Sequence, residues 1–216
     1  MKIADKYDLN IYVHVGMNSV QEAAGLAREV DLLGVKGILA MPPTYFRPST
    51  PDSLVDTMAV VAQGAPNLPF WYYHFPDMTK VDMSMFSFVR AADESGKIPN
   101  LMGVKFTNEL LMDFNEIGNF KDKKYNMLMG RDEIMTSALA TGVADGAVGS
   151  TVNFMSYNTM LKTHWDSGDY KTAQELQFKT IEVIQAWKDN CPAGYNPQKA
   201  IMKMTGIDFG PMREPN

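Results

Sequence analysis

Apolar runs alternate with amphipathic stretches along most of the 216 residues. Residues 10–16 (Asn10-Ile11-Tyr12-Val13-His14-Val15-Gly16) combine β-branched and aromatic side chains and close on glycine, which predicts a strand. A helix is expected next. Ser19 caps it with Glu22 at the capping-box position, and Val20, Ala23, Ala24, Ala27, Val30 and Leu33 form its apolar stripe up to Gly34. Residues 35–41 predict a second strand closed by Pro42-Pro43, and Thr44-Tyr45-Phe46-Arg47-Pro48 a structured loop. Ser49 or Thr50, with Pro51, opens a helix through Leu54, Met58, Val61 and Ala62 to Gly64. The apolar and aromatic run 69–76 predicts the third strand, and 82–92 a helix with Met83, Phe86 and Val89 on one face. Residues 100–107 form the fourth strand, carrying Lys105, followed by a helix over 108–117 and a fifth strand over 125–130. Arg131-Asp132-Glu133 leads into a short helix, and 144–150 predicts a sixth strand ending in a glycine turn. Three helices follow, over 159–165, 171–187 and 196–204.

The strands are continuously apolar rather than alternating, the signature of parallel strands covered on both faces. Two architectures share that signature, an open doubly wound sheet and a (β/α)8 barrel. No G-x-G-x-x-G follows the first strand, so dinucleotide binding has no support. Tyr45, Tyr73, Lys105 with Thr107, Asp132 with Glu133, and Ser150 all fall at or just past strand ends, where barrel enzymes assemble their sites. The expected fold is therefore α/β, an incomplete TIM (β/α)8-type barrel. Six β/α units over about 1–157 precede carboxyl-terminal helices over 158–216, in a single domain.

Composition narrows the chemistry. A net charge of -5 offers no basic field for phosphates, so nucleic acid is not an expected partner. The single cysteine, Cys191, excludes an intrachain disulfide framework. Three histidines (His14, His74, His164) without ligand spacing leave no dedicated metal site. The first residues lack an apolar leader core and no run is long enough to span a bilayer, so a soluble, cytoplasmic protein is expected. The 17 methionines read as adaptable core packing.

A lysine at the end of a buried strand has two readings. Its head group snorkels to water, or desolvation frees its lone pair for attack on a carbonyl. In the second case the iminium that forms is an electron sink for breaking the adjacent carbon–carbon bond, and Tyr73 on the neighbouring strand is placed to relay protons. Tyr73 also reads as an interfacial core tyrosine. Asp132 and Glu133 suit substrate hydroxyls or an acidic helix N-terminus, and Ser150 a substrate contact or a helix cap. His74 reads as a packed or hydrogen-bonded residue rather than a base.

Four ordered motifs carry a family resemblance: Tyr72-Tyr73-His74-Phe75-Pro76, Gly103-Val104-Lys105-Phe106-Thr107, Gly130-Arg131-Asp132-Glu133 and Gly146-Ala147-Val148-Gly149-Ser150-Thr151. Together they resemble the N-acetylneuraminate lyases, class I aldolases of the dihydrodipicolinate synthase superfamily. Val13-His14-Val15-Gly16 and Lys199-Ala200-Ile201-Met202 extend the likeness over nearly the whole chain. The resemblance implies that Lys105 forms the Schiff base and that Tyr73 relays protons in retro-aldol cleavage to pyruvate and N-acetylmannosamine. It implies no cofactor beyond the lysine imine. It also implies that Thr107, Gly130, Asp132, Glu133 and Ser150 hold the sugar acid, and that Tyr45 is lent across a subunit interface. Family members begin with two further strands and a turn like Gly-Thr-Thr-Gly-Glu that grips the pyruvate carboxylate, and the 216 residues start after that point. Six strands of such a barrel expose two edges, so a homo-oligomer is expected, with turnover impaired or, alternatively, a silent lyase-like binding protein or an aldolase for another 2-keto acid.

Overall fold

The computed structural model describes residues 2–190 and 197–212. Among these described residues are six strands: β1 (Tyr12–His14), β2 (Gly37–Ala40), β3 (Phe70–His74), β4 (Leu101–Phe106), β5 (Asn126–Met129) and β6 (Gly146–Ala147). Between and after them lie α1 (Lys2–Lys6), α2 (Val20–Asp31), α3 (Pro51–Ala62), α4 (Pro76–Thr79), α5 (Met85–Ser95), α6 (Leu111–Asn119), α7 (Met135–Ala140), α8 (Tyr157–Asp166), α9 (Tyr170–Asn190) and α10 (Pro197–Met204). Hydrogen-bonded neighbours follow chain order from β1 to β6, and β1–β2, β2–β3 and β3–β4 pair in parallel. A doubly wound sheet would reverse its strand order partway. This unreversed order belongs to an incomplete TIM-type (β/α)8 fold, which removes the open-sheet alternative.

The chain divides into two compact units, Met1–Leu128 and Met129–Asn216. In the first, the period of two along β3 sorts its side chains. Phe70, Tyr72 and His74 are buried, and the Tyr72 ring lies 4.7 Å from Phe88 of α5, so this face meets the helices. Trp71 and Tyr73 consequently point to the opposite face. Ile38, Val104 and Phe106 from the sheet and Leu54, Met58, Met85, Phe88, Phe114 and Ile117 from the helices are fully buried. Met58, Met85, Met127, Met129 and Met135 pack in the core as expected, whereas Met17, Met78, Met102, Met112, Met160 and Met204 are exposed.

Caps set the helix boundaries. Ser19 accepts the Glu22 N–H at 3.3 Å at the start of α2, and Thr50 and Ser53 form a reciprocal capping box at α3 with Pro51 in its first turn. Leu33, expected on the buried stripe of α2, is instead 59% exposed because the helix stops at Asp31, two residues before it. The helix expected from Asp82 begins only at Met85. Ser84 caps it at the Ser87 N–H, and the Asp113 carboxylate on α6 accepts the Met85 and Phe86 N–H groups at 2.6 and 3.1 Å.

In the second unit the predicted sixth strand shrinks to Gly146–Ala147, with the Val148 N–H bonding to the Met129 carbonyl at 2.8 Å. The helices expected after Ser150 form as α8, α9 and α10. Ala173, Leu176, Gln177, Thr180 and Ile184 bury one stripe of α9. Cys191 and Asn196 lie outside the described residues.

Candidate active site

Lys105 and Tyr73 are direct partners in the β3–β4 register. In parallel strands such partners project to the same face, and the Lys105 Nζ lies 3.7 Å from the centre of the Tyr73 ring. Both residues are half-buried, near the carboxyl ends of their strands. Gly103 holds β4 close to β5, since a Cβ at this position would meet Asn126 N and C at 2.9 and 2.7 Å. The glycine two residues before Lys105 is thus a requirement of strand approach. Trp71, on the Tyr73 side of β3, donates its indole N–H to Asn126 Oδ1 at 2.9 Å and fixes the same junction.

Thr107 follows β4, with its N–H bonded to the His74 carbonyl at 2.8 Å. Its hydroxyl is buried and finds no partner among the described residues. His74 is buried, as expected of a packed residue, and Asn108 lies 3.3 Å from its Nε2. Burial pushes its pKa down to about 4, although Asp113 and Asp82 pull the other way. A group of that kind on the helix-facing side of β3 holds the end of β4 in place and is no base for chemistry on the Lys105 side.

One neighbour of Lys105 was absent from the sequence-derived set. The His14 ring, at the end of β1, meets the Tyr73 ring edge-on with centroids 5.9 Å apart. Burial, and secondly the Lys105 charge, hold its pKa below the ordinary histidine value. The signal was present in Val13-His14-Val15-Gly16, but only the register brings the ring to Tyr73. Tyr45 is not gathered into this cluster. It is 77% exposed, and its ring packs edge-on against Phe46 at 4.8 Å. The loop is nevertheless ordered, since Asn18 Oδ1 accepts the Thr44 and Tyr45 N–H groups and the Thr44 hydroxyl.

The remaining sequence-derived residues belong to the second unit. Gly130 follows β5, and Asp132 opens a 3₁₀ turn, Asp132–Ile134. The Asp132 carboxylate is buried and accepts the Thr151 N–H and hydroxyl at 2.9 and 2.6 Å. A Cβ on Gly149 would collide with that carboxylate, so the glycine before Ser150 exists to admit it. Gln177 of α9 locks the turn from the other side, donating to the Asp132 carbonyl and accepting the Thr136 N–H, both at 2.9 Å. Glu133 is half-buried, with Lys188 at 3.5 Å and Arg131 at 4.0 Å. Ser150 is exposed. Asp132 is thereby engaged in holding the β6 turn, and Glu133 and Ser150 are the more accessible polar groups of this set.

Among the described residues no cluster of His, Cys, Asp or Glu suited to a metal is present, and no helix is long and apolar enough to cross a membrane. Residues 3–216 match the dihydrodipicolinate synthetase family. The chain is 36% identical over 209 residues to N-acetylneuraminate lyase of Gallus gallus, covering 95% of this chain and 67% of that protein. Among solved structures, N-acetylneuraminate lyase of Proteus mirabilis matches with a TM-score of 0.90 at 31% identity, covering 99% of this chain and 71% of that one. A catalytic lysine mutant of the sialic acid aldolase of Ruminococcus gnavus matches with a TM-score of 0.87 at 27% identity, covering 99% and 68%. The chain spans about two thirds of the length of the curated relatives it matches.

Proposed function

Because the chain belongs to the dihydrodipicolinate synthetase family, whose members are class I aldolases working through a lysine Schiff base without metal or external cofactor, we propose that it cleaves N-acetylneuraminate to pyruvate and N-acetylmannosamine. The observation that carries this reading is the Lys105 amine lying 3.7 Å over the ring of Tyr73, its register partner. In this mechanism the Lys105 Nζ attacks the C2 carbonyl of the open-chain sugar acid, and loss of water from the carbinolamine gives an iminium. Tyr73 gives its phenol proton to the departing carbinolamine hydroxyl, and the phenolate so formed takes the C4 hydroxyl proton as the C3–C4 bond breaks. That bond's electron pair moves into the iminium, leaving an enamine on Lys105 and an aldehyde at C4. Protonation of the enamine at C3 and hydrolysis release pyruvate and free the lysine.

The 36% identity to a lyase supports this substrate over other 2-keto acids. In the proposal Thr107 is a further substrate contact of the first unit, and within the second unit Gly130, Glu133 and Ser150 are the candidate sugar-binding groups while Asp132 holds their turn. The exposed Tyr45–Phe46 pair supports a homo-oligomer in which Tyr45 is lent to a second copy. The test is a steady-state assay of pyruvate release from N-acetylneuraminate. Lys105→Ala is expected to abolish turnover and Tyr73→Phe to lower kcat by roughly 10²–10⁴-fold, the usual contribution of a positioned acid–base group. Turnover undiminished in Lys105→Ala would overturn the proposal.

A further inference from the structure

We infer that His14 is a positioning residue for the Lys105–Tyr73 centre, acting as a neutral imidazole that braces the Tyr73 ring while anchoring the start of the loop that presents Tyr45. The role rests on the imine reading of Lys105. Its basis is a set of contacts that converge on one ring. The His14 Nε2 accepts the Met41 N–H at 3.1 Å, so in the neutral ring the proton resides on Nδ1. The same ring stands at 87° to Tyr73, and Phe75 stacks on Tyr73 with centroids 5.8 Å apart. Tyr73 is thereby held by His14 and Phe75 while Lys105 lies over it.

The sequence around His14 is built for this arrangement. A Cβ on Gly16 would meet Met41 N at 2.7 Å, Met41 O at 2.8 Å and His14 Cε1 at 3.0 Å. Any larger residue at position 16 would push the Met41 backbone away from the imidazole. Two residues on, Asn18 takes the Thr44 and Tyr45 N–H groups, so residues 14–18 template the loop over residues 41–45 through bonds to Met41, Thr44 and Tyr45. The titratable groups facing His14 are Lys105 on β4 and Tyr73 on β3. Protonation at Nε2 would cost the Met41 bond and set a second cation beside Lys105, and both effects favour the neutral ring.

Two variants separate the ring from the acceptor. His14→Gln offers an amide oxygen to the Met41 N–H but removes the edge-on ring, whereas His14→Phe keeps a ring against Tyr73 and leaves that N–H without its acceptor. If His14 braces Tyr73, His14→Gln lowers kcat for N-acetylneuraminate by about tenfold with KM little changed, and His14→Phe recovers most of that loss. Borohydride trapping of pyruvate on Lys105 in the 216-residue chain then proceeds in His14→Gln at a rate within about twofold of the parent, because the amine itself is untouched. Equal losses in the two variants, or an unchanged kcat in His14→Gln while the parent still traps pyruvate, would overturn the role. Failure of the parent to trap pyruvate would instead strike the imine reading beneath it. Imidazole ¹⁵N shifts of the parent at neutral pH supply a readout independent of activity: an unprotonated Nε2 is expected, and a proton on Nε2 would overturn the assignment.

Discussion

Asp113→Asn tests how the helix flanking the Lys105 strand is held. The buried carboxylate sits in the first turn of α6 and serves the N-terminus of α5, accepting the Ser84 hydroxyl at 2.9 Å, the Met85 N–H at 2.6 Å and the Phe86 N–H at 3.1 Å. An asparagine retains the oxygen that serves Ser84 and Phe86 and turns an NH₂ group toward the Met85 N–H. One buried donor then lacks an acceptor, at about 1–3 kcal/mol. The lost negative charge at a helix N-terminus adds about 0.3–1 kcal/mol. The expected destabilisation is thus about 2–3 kcal/mol, or roughly 5–10 °C in Tm for a chain of this size. Asp113→Ala, which orphans all three donors, is expected to cost more. Urea titration followed by far-UV circular dichroism measures the change, with the slope m compared between variants. Ser84→Ala supplies a second variant, and its cost should not add to that of Asp113→Asn because the two side chains share a hydrogen bond. An Asp113→Asn protein within about 0.5 kcal/mol of the parent would refute the idea that this carboxylate caps α5.

Three further outcomes are expected. His74 is buried with its pKa lowered to about 4 from 6.5, so the unfolded chain binds the proton more tightly, and stability is full above about pH 6.5 and declines as pH falls toward 4. A shift of that size corresponds to about 3 kcal/mol, and denaturant titrations across this window should show a slope that His74→Gln flattens. Gly103→Ala drives a methyl group into the Asn126 backbone and is expected to cost about 3 kcal/mol or more, with loss of pyruvate trapping at Lys105 even where folded protein is recovered. Gln177→Leu removes the partners of the Asp132 carbonyl and the Thr136 N–H, and hydrogen exchange should find the Thr136 amide at least about tenfold less protected, with unchanged protection arguing against the lock.

Much of the first unit could be read directly from apolar periodicity and punctuation. Ser19 and the Thr50-Pro51 pair begin helices as expected, and Gly34, at φ 71°, adopts the left-handed conformation that ends the turn after α2. These signals are local, which is why they were legible. Features set by distant partners were not. The start of α5 depends on Asp113, 28 residues beyond Met85, and the burial of the Asp132 carboxylate depends on Thr151, 19 residues away. Nor does Lys121-Asp122-Lys123 advertise its turn, in which three consecutive non-glycine residues have φ of 47°, 55° and 62°. There Lys121, Lys124 and the Tyr125 hydroxyl converge on Asp93, and these donors hold its carboxyl well below the usual carboxylate range. Among the site residues, Lys105 and Tyr73 are legible because each lies beside the carboxyl end of a strand, and the structure pairs them. His14 was passed over because its strand context is apolar and its contact with Tyr73 crosses an intervening strand, β2.

Incubation with pyruvate and borohydride, followed by mass mapping, tests the imine chemistry of Lys105 most directly. Reduction of the imine leaves a stable adduct on the amine, so the peptide containing Lys105 should carry it, and neither Lys105→Ala nor a sample lacking pyruvate should be labelled. An unmodified Lys105, under conditions in which an N-acetylneuraminate lyase prepared in parallel is labelled, would contradict the assignment of this lysine as the carbonyl-capturing nucleophile.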